Sequence, residues 1–265
     1  MSNTLKYNRL AGKRVLVIGG TSGIGFCVAE AALEYGAHLV LSSSNPSQLD
    51  KAVTRLREAY PARKNQTITT HACDLSNTES LDSNIEQLLH AATDGNTEKL
   101  DHIVFTAGDA LRLPALSELT PSEIQAAGTV RFTAPLILAR HLSKCMELSP
   151  ASSLTLTGGL RAQKPAPGWA LMSGWGAAVE GLVRGLALDL KPLRVNMVAP
   201  GAVHTELFAS IPSERLGSVM DAFRAQSTTG TVGRPEDLAM SYLYLMQDEF
   251  ASGSVVESNG GARLV

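Results

Sequence analysis

The run Ile18-Gly19-Gly20-Thr21-Ser22-Gly23-Ile24-Gly25 places four glycines between a short β-branched segment and a segment of helical character that extends to about Gly36. Glycines at a strand-to-helix junction let the backbone turn sharply and approach a pyrophosphate, while the first N–H groups of the helix point at the anion. A lone glycine turn also serves as a plain left-handed turn. Here it heads a full series of alternating strands and helices, which favours the dinucleotide-binding reading. Gly19, Thr21, Ser22 and Ile24 are the candidate contacts.

Other side chains have the types and positions for chemistry. Asp109 directly follows Ala107-Gly108 at the carboxyl end of the fourth strand, where doubly wound folds hold their ligands. Capping segment 110–113 is its plainer role. Arg131, on the helix that follows, could cross the cleft to pair with Asp109, or offer its guanidinium to a cofactor ribose or a substrate carbonyl. A solvated helix arginine is the alternative. Pro165-Ala166-Pro167-Gly168 stiffens the entry to the longest helix and leads into Trp169, which either walls a pocket near Met172 or packs in the core. His141 and the other histidines are dispersed at no ligand spacing, so no metal is expected. Cys27, Cys73 and Cys145 are odd in number and also lack that spacing; they read as small buried hydrophobes in a reducing compartment.

The elements that must position these residues alternate regularly. Strand-like runs fall at 14–19, 38–42, 66–72, 102–106, 153–157, 194–198 and 253–257. Helical segments fall at 46–59, 78–92, 121–142 and 168–190. Apolar strands joined by helices predict an α/β, single-domain Rossmann fold over residues 1–265, a seven-stranded, mostly parallel sheet with helices on both faces. The helix over 168–190 is apolar or small around most of its circumference, which predicts burial on more than one side, within the chain or against another copy. Residues 204–229, with Phe208 and Phe223, form a candidate substrate lid or an ordinary connecting helix pair. With 25 acidic and 23 basic residues the net charge is −2 and no basic stripe is visible, which argues against nucleic acid as a partner. The first residues contain no apolar signal core and no later run is long enough for a membrane span, so no membrane association and a cytoplasmic location are expected.

The glycine spacing resembles the TGxxxGxG turn of the short-chain dehydrogenase/reductases, with Ile18 in place of the threonine, and the resemblance continues along nearly the whole chain. Asp74-Leu75 corresponds to the pair that contacts adenine. Phe105-Thr106-Ala107-Gly108 stands where the family has NNAG. Pro200-Gly201-Ala202-Val203-His204-Thr205 resembles the PGxxxT segment, in which Val203 and Thr205 would hold the nicotinamide amide. Gly233-Arg234-Pro235-Glu236-Asp237 and Asn259-Gly260-Gly261 match late landmarks. NAD-binding members usually carry an acid at the end of the second strand. Here Ser42-Ser43-Ser44-Asn45 has none, so Ser43 and Ser44 are candidate partners of a 2′-phosphate and NADPH/NADP+ is the expected cofactor. A polar turn indifferent to either cofactor is the other reading. By resemblance the protein is a homo-oligomer.

The family's proton-handling residues are missing. The resemblance sets the register so that Met172 stands at the tyrosine of YxxxK, Gly176 at its lysine, Arg131 at the helix asparagine, and Thr157-Gly158-Gly159 at the serine. Reducing a ketone needs a proton donor for the developing alkoxide. Reducing an iminium does not, because hydride neutralises a charge already present. With Asp109, Arg131 and the PxPGW segment, the chain resembles the fungal bifunctional reductase/Diels–Alderases of malbrancheamide- and paraherquamide-type indole alkaloid biosynthesis. That resemblance implies NADPH-dependent reduction of a cyclic dipeptide iminium, then an intramolecular [4+2] cycloaddition that forms the bicyclo[2.2.2]diazaoctane core. The partner is then a small-molecule substrate, a prenylated indole dipeptide-derived iminium. Asp109 and Arg131 would position substrate and stabilise charge, and Trp169 would pack the indole. Ala166 departs from that branch, which has an aspartate there opposite the substrate cation; the change marks an engineered variant or a relative with weakened reduction. Two other readings stay open, a non-catalytic dinucleotide-binding regulator and an atypical short-chain carbonyl reductase using some other acid.

Overall fold

Seven short runs become strands, and in the central ones aliphatic and β-branched side chains fill both faces of a sheet that helices cover on each side. The strands are β1 (Arg14–Ile18), β2 (His38–Ser43), β3 (Ile68–Ala72), β4 (His102–Phe105), β5 (Ser153–Thr157), β6 (Arg194–Pro200) and β7 (Val255–Ser258). The computed structural model describes residues 6–265 except 110, 207, 209 and 210. All seven strands pair in parallel, in the order β3-β2-β1-β4-β5-β6-β7. The sheet is thus fully, rather than mostly, parallel. β4 and β6 are buried along their whole length, whereas the edge strands β3 and β7 are largely half-exposed.

One helical layer holds α1 (Gly23–Glu34), α2 (Pro46–Ala59) and α8 (Pro235–Gln247), whose Phe26, Leu56 and Tyr242 share a core with Val15 and Leu39. The other holds α3 (Leu81–Ala92), α5 (Ala134–Cys145) and α6 (Ala170–Asp189), whose Ile85, Leu138 and Val183 pack on Leu16 and Ile103. The chain leaves β1 in one direction to β2 and β3, and then crosses back to β4. The carboxyl ends of β1 and β4, aligned by the Ile18–Phe105 register, therefore flank the point where strand order reverses. Doubly wound folds open their ligand crevice at that point.

Three helical expectations need correction. Residues 121–142 are not one regular helix: α4 (Pro121–Gly128) passes through a five-residue π turn, Thr129–Thr133, into α5. α6 begins at Ala170 and within this chain buries only Val179, Val183 and Leu186, while a Cβ at Gly174, Gly181 or Gly185 would meet open space. Within this chain its small residues thus leave one side open, so the burial on several sides is not met inside one protomer. Among its described residues, segment 204–229 contains one helix of regular length, α7 (Ser213–Ala225), rather than a pair.

Candidate functional site

The crevice is a cleft of about 480 Å³ at the carboxyl ends of β1, β2, β3, β4 and β5. Its floor is the glycine turn. Gly19 adopts φ +90°, and a Cβ there would lie 2.7 Å from the Ala107 nitrogen, so only glycine allows the turn to meet the end of β4. Thr106 ties the two together by donating from its hydroxyl to the carbonyls of Ile18 (3.0 Å) and Gly19 (3.3 Å). Gly25 sits beneath; a side chain there would overlap the Gly19 carbonyl and the Thr106 hydroxyl. Ser22, the N-cap of α1, makes no side-chain capping bond, and the first turn of α1 holds no acidic residue. Its first N–H groups are thus left for an anion.

Gly19, Thr21, Ser22, Ile24, Ser43, Ser44, Asp74, Leu75, Ala107, Gly108 and Thr205, all candidates from the sequence, line this cleft together with Asp109. Val203 does not. It is 7% exposed and bridges to Gly233 in the core beneath. Asp74 accepts from the Ser76 hydroxyl (2.7 Å) and backbone N–H (2.8 Å) through Oδ1, and these bonds hold its carboxyl below the usual range. Its Oδ2 takes no part in them.

A nicotinamide dinucleotide fits these residues. The buried Ser42 hydroxyl on the cleft wall has no partner among the described residues, and such a group demands one. No carboxylate stands among residues 42–45. The described residues lining the cleft include three carboxylates, Asp74, Asp109 and Glu206, and no lysine, arginine or histidine.

Arg131 reaches the site from the π turn, but not as the ion pair across the cleft. Its Nη2 donates to the backbone carbonyl of Asp109, and its guanidinium lies against Gly108, where a Cβ would be 2.8 Å from Nη2. Among the described residues no ion pair joins the two side chains. Burial lowers the Arg131 pKa, and the nearby Asp109 charge raises it. The Asp109 side chain is exposed at the mouth, and Ala110, first residue of the segment it was expected to cap, lies outside the described residues. Trp169 is the N-cap of α6, half-buried with the Arg161 guanidinium 5.6 Å from its ring centre. Ala166 is half-buried and its carbonyl accepts from the Trp169 N–H at 3.0 Å. Neither lines the cleft, and neither lies where only a core role explains it.

Thr157, the one hydroxyl in the 157–159 stretch that the resemblance sets at the family's serine, is committed. It donates to the Phe105 carbonyl at 2.8 Å and meets the phenol of Tyr242 at 2.7 Å. A threonine has one hydroxyl proton, so Tyr242 must donate to it. Tyr242 is fully buried, and burial pushes its pKa far up. Met172 and Gly176, in the first two turns of α6, carry no ionisable group. Cys73 lines the cleft, with burial pushing its thiol up to about 11, so it is no ready nucleophile. The described residues contain no cluster of metal-ligating side chains and no helix long and apolar enough to cross a membrane.

Comparison with known proteins resolves the family. The model of the SDR-like Rossmann domain matches residues 6–265. The chain belongs to the short-chain dehydrogenase/reductases. It is 47% identical over 256 residues to the short-chain dehydrogenase/reductase malC of Malbranchea aurantiaca, covering 96% of each chain. It is 42% identical to fsr5 of Gibberella fujikuroi, a protein of the same family, with full coverage of both. The solved structure of the MalC reductase/Diels-Alderase from Malbranchea aurantiaca superimposes with a TM-score of 0.93 at 46% identity, over 98% of this chain and 99% of that one. The L-sorbose reductase of Gluconobacter frateurii, solved with NADPH and L-sorbose, shares the fold at a TM-score of 0.83 and 21% identity, over 96% and 98% of the two chains. As a short-chain dehydrogenase/reductase, this enzyme has the fold of a nicotinamide dinucleotide-binding protein. Beyond the resemblance, sequence reasoning missed Thr106, Ser42 and Glu206 as cleft residues and the Tyr242 contact. The first two lay inside quoted motifs. Tyr242 is 85 residues from Thr157, and no local pattern announces it.

Proposed function

We propose that the protein uses NADPH to reduce a cyclic dipeptide iminium and guides a stereoselective intramolecular [4+2] cycloaddition to the bicyclo[2.2.2]diazaoctane core of prenylated indole alkaloids. The observation that carries this reading is the contrast within one cleft. The phosphate end is built to glycine-level tolerance, while Thr157 has its only proton committed to the Phe105 carbonyl. When bound, a reduced nicotinamide supplies hydride, and addition to an iminium carbon needs no proton from the protein. The residues' work is then to bind, orient and place charge.

The α1 N-terminus and Ser22 would take the pyrophosphate, with Ser42, Ser43 and Ser44 offering hydroxyls to a 2′-phosphate. Asp109, exposed at the cleft mouth, would set a negative charge opposite the substrate cation; Arg131 would fix the 108–109 loop that carries it. Trp169 would pack the indole. The cycloaddition asks only that diene and alkene be held together, an orientation effect. Likeness to the MalC reductase/Diels-Alderase over nearly the whole chain supports the substrate class. The test is NADPH oxidation with a freshly generated prenylated cyclic iminium, followed by chiral analysis. Cofactor consumption with one bridged diastereomer is the expected result. Tight NADPH binding with neither turnover nor stereocontrol sinks the reading and favours a dinucleotide-sensing regulator.

A further inference from the structure

α6 carries a second tryptophan that the reading above does not use. Trp175 stands between Met172 and Gly176, and its Nε1 donates to the carbonyl of Ile124 in α4 at 3.0 Å. Its ring occupies the space a side chain on Gly128 would fill: a Cβ there would lie 2.5 Å from Trp175 Cε2. Phe132 meets the same ring with centroids 5.3 Å apart at 44°. The indole therefore grips both sides of one junction, the last turn of α4 and the π turn Thr129–Thr133 that follows.

The junction matters because of what it aims. Ala134 N–H bonds five residues back to the Thr129 carbonyl. A helix that widens by one residue rotates everything beyond by about 100° relative to an unbroken one. In the widened path Val130 lines the cleft and the Arg131 guanidinium lands on Gly108 and the Asp109 carbonyl. Regular α-helix through 128–133 would turn that guanidinium away. Gly128 leaves room for the indole, the indole pins α4, and α5 carries on in the new phase.

We propose that Trp175 is a positioning residue, holding the π turn that delivers Arg131 to the Gly108–Asp109 loop. This rests on the proposed role of Arg131 and Asp109 for its catalytic consequence, but not for its structural content, and the experiment separates the two. Trp175→Phe keeps an aromatic ring and removes the N–H; Gly128→Ala keeps the N–H and displaces the ring. Both are compared with the unaltered enzyme in three ways: NADPH affinity by cofactor fluorescence, phenylglyoxal modification of Arg131 followed by mass spectrometry, and hydrogen exchange over 107–109 and 129–133. The expected result is NADPH affinity within two-fold, several-fold faster modification of Arg131, and faster exchange confined to those two segments. With the iminium substrate, kcat falls about ten-fold in Trp175→Phe, and Trp175→Phe adds no further loss in an Arg131→Lys background. Unchanged Arg131 reactivity in both variants overturns the proposal. So does a rise in exchange spread over the whole molecule, which marks a merely structural tryptophan. If the unaltered enzyme turns over no iminium while Arg131 reactivity still rises, the functional reading fails and the positioning stands.

Discussion

The phenol of Tyr242 and the hydroxyl of Thr157 lie 2.7 Å apart, and Thr157 passes its own proton to the Phe105 carbonyl at 2.8 Å. This short chain starts in the buried face of α8, runs through the end of β5 and stops on the backbone of β4. It reaches the cleft wall at Thr157 but delivers no proton there. The Thr157 hydroxyl is a strut between two strands and a helix.

Tyr242→Phe separates a strut from an acid. The expected outcome is a loss of about 1 kcal/mol in unfolding free energy, the worth of one buried hydrogen bond. Turnover of an iminium should stay within two-fold, with an unchanged pH profile. A collapse of kcat with a shifted pH profile would mean that Thr157 and Tyr242 donate a proton after all, and would revive the carbonyl-reductase reading.

Asp109→Asn removes one negative charge from the cleft mouth and keeps the shape. Iminium reduction should slow by at least about ten-fold, or ~1.4 kcal/mol in the barrier. NADPH affinity should not weaken. Equal kcat/KM for the two proteins would show that the Asp109 carboxylate does not face the substrate cation.

Ala166→Asp introduces the carboxylate that the family resemblance leads one to expect at this position. Ala166 is half-buried in the turn its carbonyl closes with Trp169, so an added carboxylate can reach solvent without a core penalty. Reduction should rise roughly ten-fold, with less effect on the diastereomer ratio, because orientation rather than charge governs the cycloaddition. Stopped-flow NADPH oxidation reads the first and chiral chromatography the second. Identical rates leave Ala166 with no part in the chemistry.

His102 sets a pH limit on the fold. It is 1% exposed, its Nδ1 lies 2.9 Å from the Ser153 hydroxyl, and burial lowers its pKa from 6.5 to about 3. Between those values the unfolded chain takes up a proton that the folded protein refuses, so stability falls as pH drops from 6.5 toward 3. The loss is on the order of a few kcal/mol. Denaturation of His102→Gln across this window should show a flatter dependence; an identical slope would assign the acid sensitivity elsewhere.

Much of this was legible from the residues. The alternation of strand-like and helical runs placed all seven strands within about two residues, most clearly where a strand such as β4 is buried on both faces and must be apolar. The glycine turn announced itself through backbone demands local to Gly19 and Gly25. The π turn did not, because i+4 and i+5 bonding differ by no side-chain pattern. What stabilises the turn is Trp175, distant in sequence from Gly128. The expected Asp109–Arg131 ion pair failed for a related reason: the guanidinium found a backbone carbonyl first, a partner invisible in any sequence. Which side of α6 stays open within the chain could not be read, because small residues look alike whether they permit close packing or merely leave space.

The cleft that meets a multiply charged dinucleotide is lined by Asp74, Asp109 and Glu206, with no cation among its described lining residues. Its hold on the phosphates would come from oriented dipoles, while its fixed charges repel. Dissolved salt screens the repulsion between separated charges more than it weakens short N–H contacts. Binding of NADPH should then hold steady or tighten as ionic strength rises to the physiological range, against the loosening expected of a site armed with lysine or arginine. Titrations at two salt concentrations read the sign directly, and a marked loosening would mean that a cation reaches the phosphates when the ligand arrives.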